Sequence, residues 1–300
     1  MENYQKYLDP KVLNKISGLD LKARLIVEGF VSGLHRSPYH GFSVEFAQHR
    51  EYTPGDDLRH LDWKVYGRSD RLYLKEYEQE TNLRAYILLD TSESMKYASA
   101  EVSKLEYACY VAASLTHLII EQQDAVGFAR FDSEVRKFIP SSSSLAHKKA
   151  ILQEMTQLTS ERKTKMGAIL HTLAERIRHR GLVILISDLF DEPREIFSGL
   201  QHFRHKGHDV IVFHILDEWE VTFPFERMTL FKGLEELPEV LTDPRALRKE
   251  YLEEVNGFVT GLRRTCLQER IDYVQITTDQ FLDVALSSYL ARRLGTKRAR

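Results

Sequence analysis

The sequence predicts a doubly wound, mostly parallel α/β sheet with a β-containing extension packed on it at the N-terminal end. Three observations predict this. Short apolar runs recur from residue 83 onward, helix-patterned stretches separate them, and the first 82 residues lack that alternation. "AYILLD" (85–90), "LVILISD" (182–188) and "DVIVFHIL" (209–216) are continuous apolar runs, as expected of parallel strands buried on both faces.

The elements follow in order. "KARLIVEGFVSG" reads as a helix, and "FSVEFAQHREY" and "RLYLKEYEQE" read as strands. Between those strands lies "TPGDDLRHLDWKVYGRSD", rich in both signs of charge and in aromatics. Leu105, Ala108, Ala112, Leu115 and Ile119 recur at helical spacing after the first buried strand. "AVGFARF" (125–131) is a less oily strand, and "DSEVRKFIP" turns back from it as an antiparallel edge. Met166, Ile169, Leu170, Leu173, Ala174 and Ile177 make a second helical stripe. "HFRHKGHDV" closes a helix at Gly207, and Asp243 with Pro244 opens another as N-cap and first helical residue. "DYVQITT" (272–278) supplies a last strand. The expected divisions are an extension over 1–82, an α/β domain over 83–293 and a basic tail over 294–300.

Composition bounds the function. Of 300 residues, 43% are hydrophobic and 29% charged, which suits a globular protein with a sizeable core. A formal net charge of −2 offers no global attraction to nucleic acid or anionic lipid. The two cysteines, Cys109 and Cys266, exclude a disulfide framework; Cys109 sits on an apolar helical stripe and reads as a core thiol. "MENYQKYLDPKVLNKI" lacks the pattern of a signal peptide, and no apolar run reaches the length of a membrane span. A cytoplasmic location without membrane insertion is expected.

The chemistry gathers at strand ends. In "ILLDTSESMKY" an apolar strand stops at Asp90, and Ser92 and Ser94 follow with the same parity, so all three can face one point. In open α/β sheets ligands bind at this carboxyl edge. In the strand order 3-2-1-4-5-6 the first and fourth strands are neighbours, which would set Asp188 beside Asp90. Thr164, just before a helix, adds a hydroxyl from a facing loop. Carboxylate and hydroxyl oxygens are hard ligands for Mg²⁺, Mn²⁺ or Ca²⁺. Taken singly, either serine or Asp188 would equally serve as a helix cap.

These residues resemble the metal-ion-dependent adhesion site of von Willebrand factor A domains. The block "HRSPYHGFSVEFAQHREYTPGDDLRHLDWKVYGRSDRLYLKEYEQET" resembles the signature of domain-of-unknown-function family fifty-eight, bacterial and archaeal proteins with a von Willebrand A-like fold. The resemblance spans roughly residues 20–293. It implies a loosely held divalent metal at Asp90, Ser92, Ser94, Thr164 and Asp188, with an open position for a partner's carboxylate. It also implies a non-enzymatic role beside a MoxR-type AAA+ ATPase, or with a client protein, in assembling or maturing complexes. Lys165 departs from the family pattern, and a cation there should weaken metal affinity.

An enzymatic reading has less to stand on. The chain has no GxxxxGK[ST] loop, no GxGxxG after a strand, no HExxH and no CxxC pair. The alternative is a metal-dependent, phosphatase-like hydrolase using Asp90, but such enzymes want a second Asp where Ser92 stands. His202, His205 and His208 read as the surface face of a helix C-terminus. Asp56, Asp57, Arg59, Asp62 and Arg68 read as an ionic network clamping the extension to the sheet over Trp63 and Tyr66.

Overall fold

The computed structural model describes residues 9–34, 49–51, 73–75, 83–157, 166–232 and 239–289. The chain falls into two compact units, one formed by Met1–Leu34 with Leu83–Arg300 and the other by His35–Asn82. In the smaller unit β1 (His49–Glu51) pairs antiparallel with β2 (Tyr73–Lys75), inside the two stretches expected to be strands. The charged block from Asp56 to Arg68 and the basic tail lie outside the described residues.

The larger unit opens with α1 (Pro10–Asn14) and α2 (Leu19–Leu34). The extension expected over 1–82 is therefore divided. On α2, Ala23, Ile26, Val27 and Phe30 recur at helical spacing and are buried in the main core. Burying one such large side chain contributes about 1.5–3 kcal/mol, which joins α2 to the α/β unit.

The remaining elements are β3 (Arg84–Asp90), α3 (Lys104–Glu121), β4 (Ala125–Phe131), β5 (Val135–Ser142), α4 (Leu145–Thr156), α5 (Met166–Arg176) and β6 (Leu182–Ser187). Then come α6 (Pro193–His205), β7 (Asp209–Leu216), α7 (Glu218–Thr222), β8 (Thr229–Phe231), β9 (Val240–Thr242), α8 (Pro244–Gln268) and β10 (Asp272–Thr277), with a last short helix over 283–289. The main sheet has the order β10-β7-β6-β3-β4-β5. Every pairing is parallel except β4 with β5, the returning edge. This is the doubly wound, mostly parallel sheet expected, and β3 and β6 are neighbours where the strand order reverses.

Alternation along the strands feeds two cores. Ile87, Leu89, Ile184, Ile186, Ile211 and Phe213 face one side, beneath α1 to α4 and residues 282–289. Tyr86, Leu88, Val183, Leu185, Val210 and Val212 face the other, beneath α5, α6 and α8. Helix α3 is buried continuously from Tyr107 to Ile120, not along a stripe alone, because α2 covers its outer side. On the opposite face, a Cβ on Gly199 would meet the Leu170 Cβ at 2.5 Å, so glycine permits the close approach of α5 and α6.

The histidine reading needs correction. His208 lies beyond the helix and is buried, edge-on to Tyr86 and Phe203. His202 faces α5, where its ring meets His171 and Glu175. Cys109 is a core thiol, pushed up to about 12 by burial.

Candidate functional site

Strand β3 delivers Asp90 to the carboxyl edge, 1% exposed. The next residue is pinned sideways: Thr91 donates through both N–H and Oγ to the Phe131 carbonyl, each at 2.8 Å. The chain then folds back so that the Ser92 N–H donates to Asp90 Oδ1 at 2.9 Å, an Asx turn. A single 3₁₀ turn over Ser94–Lys96 follows. It leaves Ser92 Oγ and Ser94 Oγ 3.1 Å apart, both buried.

Neither serine caps a helix. The following helix, α3, is capped by Ser103, whose Oγ accepts from the Glu106 N–H while Glu106 returns a bond to the Ser103 N–H. The 3₁₀ turn begins at Glu93 without a side-chain cap. The two hydroxyls are thus left to each other and to the neighbouring acids.

Strand β6 arrives alongside. Ser187 Oγ donates to Asp90 Oδ2 at 2.6 Å and accepts from the Leu189 N–H at 2.9 Å, so one hydroxyl ties the two strand tips together. Leu189 is buried with φ 54°, a left-handed conformation that costs a non-glycine residue about 1–2 kcal/mol. The Asp188 carboxylate lies against the serine turn: Ser94 donates to it, as does the Phe190 N–H at 3.2 Å. Asp188 caps no helix, since α6 starts from Glu192. Asp191 reaches across to the start of α5, accepting from the Met166 N–H at 2.7 Å. Beneath the tip, His214 Nε2 donates to the Asp188 carbonyl at 2.9 Å, and its Nδ1 accepts from the Tyr273 hydroxyl. Burial lowers that imidazole to about 4, so it stays neutral.

The structure therefore brings Asp90, Ser92, Ser94 and Asp188 together. Thr164 and Lys165 lie outside the described residues. The cation that meets the site is one sequence reasoning missed. Lys104, first residue of α3 and 2% exposed, places its ammonium 2.8 Å from Asp188 Oδ2 and 2.7 Å from Glu220 Oε1. Glu220 in turn closes the capping box of α7 by accepting from the Asp217 N–H at 2.7 Å. One signal was available. A lysine in the first turn opposes the helix dipole, so a buried one demands acids nearby.

The electrostatics separate the two strand-tip acids. Burial and the neighbouring Asp188 charge push Asp90 up to about 7, against the pull of its bonds from Ser187 and Ser92. Burial would also raise Asp188, but the Lys104 ammonium holds it below the ordinary carboxylate value. Lys104 itself is raised, its two acids outweighing the burial that opposes them. Burial raises Glu220 despite the same ammonium.

The residues present fit a small divalent cation. Two adjacent ligands of an octahedral Mg²⁺ at about 2.1 Å stand about 3 Å apart, which is the separation of the serine oxygens. Asp90 adds a buried carboxylate against which no cation lies among the described residues. Those residues contain no cluster of three or more His, Cys, Asp or Glu able to hold a metal, so a cation here would depend on the hydroxyls.

The family described as "Protein of unknown function DUF58" matches residues 48–257. The chain belongs to the DUF58 family. Uncharacterized protein Rv1480 of Mycobacterium tuberculosis is 24% identical to this DUF58 chain over 262 residues, covering 86% of it and 82% of the relative. Uncharacterized protein YeaD of Bacillus subtilis is 29% identical over 128 residues, covering 43% of this chain and 30% of its own. Among solved structures, the conserved hypothetical protein BatB from Bacteroides thetaiotaomicron has 16% identity and a TM-score of 0.49, covering 73% of this chain and all of BatB. An aerotolerance-related membrane protein from Bacteroides fragilis has 17% identity and a TM-score of 0.45, covering 70% of this chain and 97% of its own. Among the described residues of the DUF58 chain, no helix is long and apolar enough to cross a membrane.

Proposed function

We propose that this chain is a non-enzymatic, cytoplasmic protein-interaction module whose contact point is the oxygen-lined edge at Asp90, Ser92, Ser94 and Asp188, with Thr164 as a further ligand. The observation that carries the reading is the pair of buried hydroxyls 3.1 Å apart beside a buried Asp90 that meets no cation among the described residues. Mg²⁺, with Mn²⁺ or Ca²⁺ as substitutes, would supply a Lewis-acidic position there for a partner's carboxylate. Asp90 provides charge, Ser92 and Ser94 neutral oxygens, and Ser187 holds the Asp90 carboxylate in place. Phe190, 70% exposed two residues after Asp188, offers the partner an apolar contact beside the acid. The partner is a MoxR-type AAA+ ATPase or a client protein presenting an acidic side chain, and the setting is assembly or maturation of protein complexes. That partnership rests on the family resemblance.

The test is binding of the full chain to a purified MoxR-type ATPase from the same genome, with Mg²⁺ and with chelator. Linkage requires metal and partner to tighten each other's binding. Affinity should fall in chelator, and Ser94→Ala should fall with it while the fold persists. Equal affinity under both conditions overturns the metal-dependent reading. Phosphate-ester turnover abolished by Asp90→Asn would instead favour the hydrolase.

A further inference from the structure

Nothing in an acid-serine-serine cradle calls for a buried lysine, yet Lys104 is as deeply placed as the acids themselves. Its ammonium takes Asp188 Oδ2 at 2.8 Å and Glu220 Oε1 at 2.7 Å, two charge-assisted bonds in a buried setting. Its backbone N–H is held by the Tyr97 carbonyl at 3.1 Å, which fixes the start of α3 under the turn that carries the serines. The ring of Tyr97 lies 5.9 Å from the ammonium.

We propose that Lys104 is a resident cation of the site: it neutralises Asp188, so that a divalent ion is held by Asp90 and the hydroxyls, and it sets how weakly that ion binds. The inference deepens the proposed function and rests on its reading of the cradle. The physical reason is competition for one carboxylate. A divalent ion drawing on Asp188 must share it with an ammonium already in contact, and two cations that close repel strongly where water is excluded. Asp188 therefore contributes position more than charge. Through Glu220 the same ammonium ties the cradle to α7, whose Trp219 is partly exposed.

The experiment is calorimetric titration of Mn²⁺ into the full chain, stripped of metal, for the wild type, Lys104→Met, Glu220→Gln and the double variant Lys104→Met/Asp188→Asn. Lys104→Met releases Asp188, and Mn²⁺ should bind about tenfold tighter or better. The melting temperature lost by this variant in chelator should return with Mn²⁺. Glu220→Gln leaves the ammonium wholly to Asp188, so affinity should stay level or fall. Lys104→Met/Asp188→Asn removes both members of the pair and should change Mn²⁺ affinity by less than about threefold, because the two charges cancel in the wild type. If Lys104→Met does not fold, this last measurement decides, and a loss of tenfold or more overturns the inference.

The failures are distinguishable. Wild-type binding with no tightening in Lys104→Met, or equal shifts in Lys104→Met and Glu220→Gln, overturns the role of Lys104 and leaves the cradle standing. Binding in Lys104→Met but not in the wild type upholds the role and removes metal dependence from the proposed function. No binding in either overturns both.

Discussion

The tips of β3 and β6 end in the same chemistry and are stabilised in opposite ways. Each strand is apolar along its length and each delivers an acid that is almost fully buried, at neighbouring positions of one sheet. Asp188 has an ammonium in contact and is held ionised. Among the described residues Asp90 has hydroxyl and amide donors only, and it is pushed toward protonation. The comparison teaches that burial alone does not say what an acid is for. An acid with an internal cation is electrostatically complete within the chain, whereas one lacking it retains a demand that an external cation can meet.

The largest expected effect breaks the completed tip. Asp188→Ala strips Lys104 of one of its two acids and leaves a buried ammonium short of charge. Removing one partner of a buried pair costs about 3–5 kcal/mol. Urea unfolding in chelator should show a loss in that range, and a loss below about 1 kcal/mol would mean that the lysine is solvated in solution.

The sequence made one tip legible and half concealed the other. Asp90, Ser92 and Ser94 are local, and their shared parity is visible in five residues. The adjacency of Asp188 followed from counting apolar runs and applying the usual strand order. Lys104 is 84 residues from Asp188 and 116 from Glu220, and it is hidden at the head of an apolar helix, so no spacing announces the pairing. Ser187 was concealed differently, since a serine ending a strand looks like the start of a loop. The division of residues 1–82 was missed for a third reason. Charge in the middle of that stretch set its character, while the apolar stripe of α2 belongs to a core built mainly from later residues.

Ser187 sharpens the comparison because it belongs to one tip and serves the other. Ser187→Ala removes the donor to Asp90 and leaves the buried Leu189 N–H without its acceptor. The expected cost is about 1–3 kcal/mol, mostly the desolvated amide. Hydrogen exchange should show the Leu189 amide losing protection first; unchanged protection would show that the left-handed bend holds itself. Ser92→Ala should cost less, about 0.5–1.5 kcal/mol, since Ser92 Oγ is bonded to another hydroxyl at 3.1 Å and its backbone N–H still reaches Asp90. Its larger signature should be weaker Mn²⁺ binding in the same titration, and an unchanged Mn²⁺ affinity would remove Ser92 from the ligand set.

The smallest expected effect on stability falls on the acid that matters most to the proposed cradle. Asp90→Asn keeps the shape of the side chain and its bonds to the Ser92 N–H and Ser187 Oγ. The amide oxygen can accept from the Ser92 N–H, and the amide nitrogen can donate to Ser187 Oγ, which has a lone pair to spare. What disappears is a buried charge facing the Asp188 charge, with no cation beside it among the described residues. Unfolding in chelator should therefore show no loss, and a gain of up to about 1 kcal/mol. Added Mg²⁺ should raise the melting temperature of the wild type and leave that of Asp90→Asn unmoved, because ligand binding to the native state alone is what shifts it. A variant as destabilised as Asp188→Ala would mean that Asp90 is also balanced within the chain, and the contrast between the two tips would vanish.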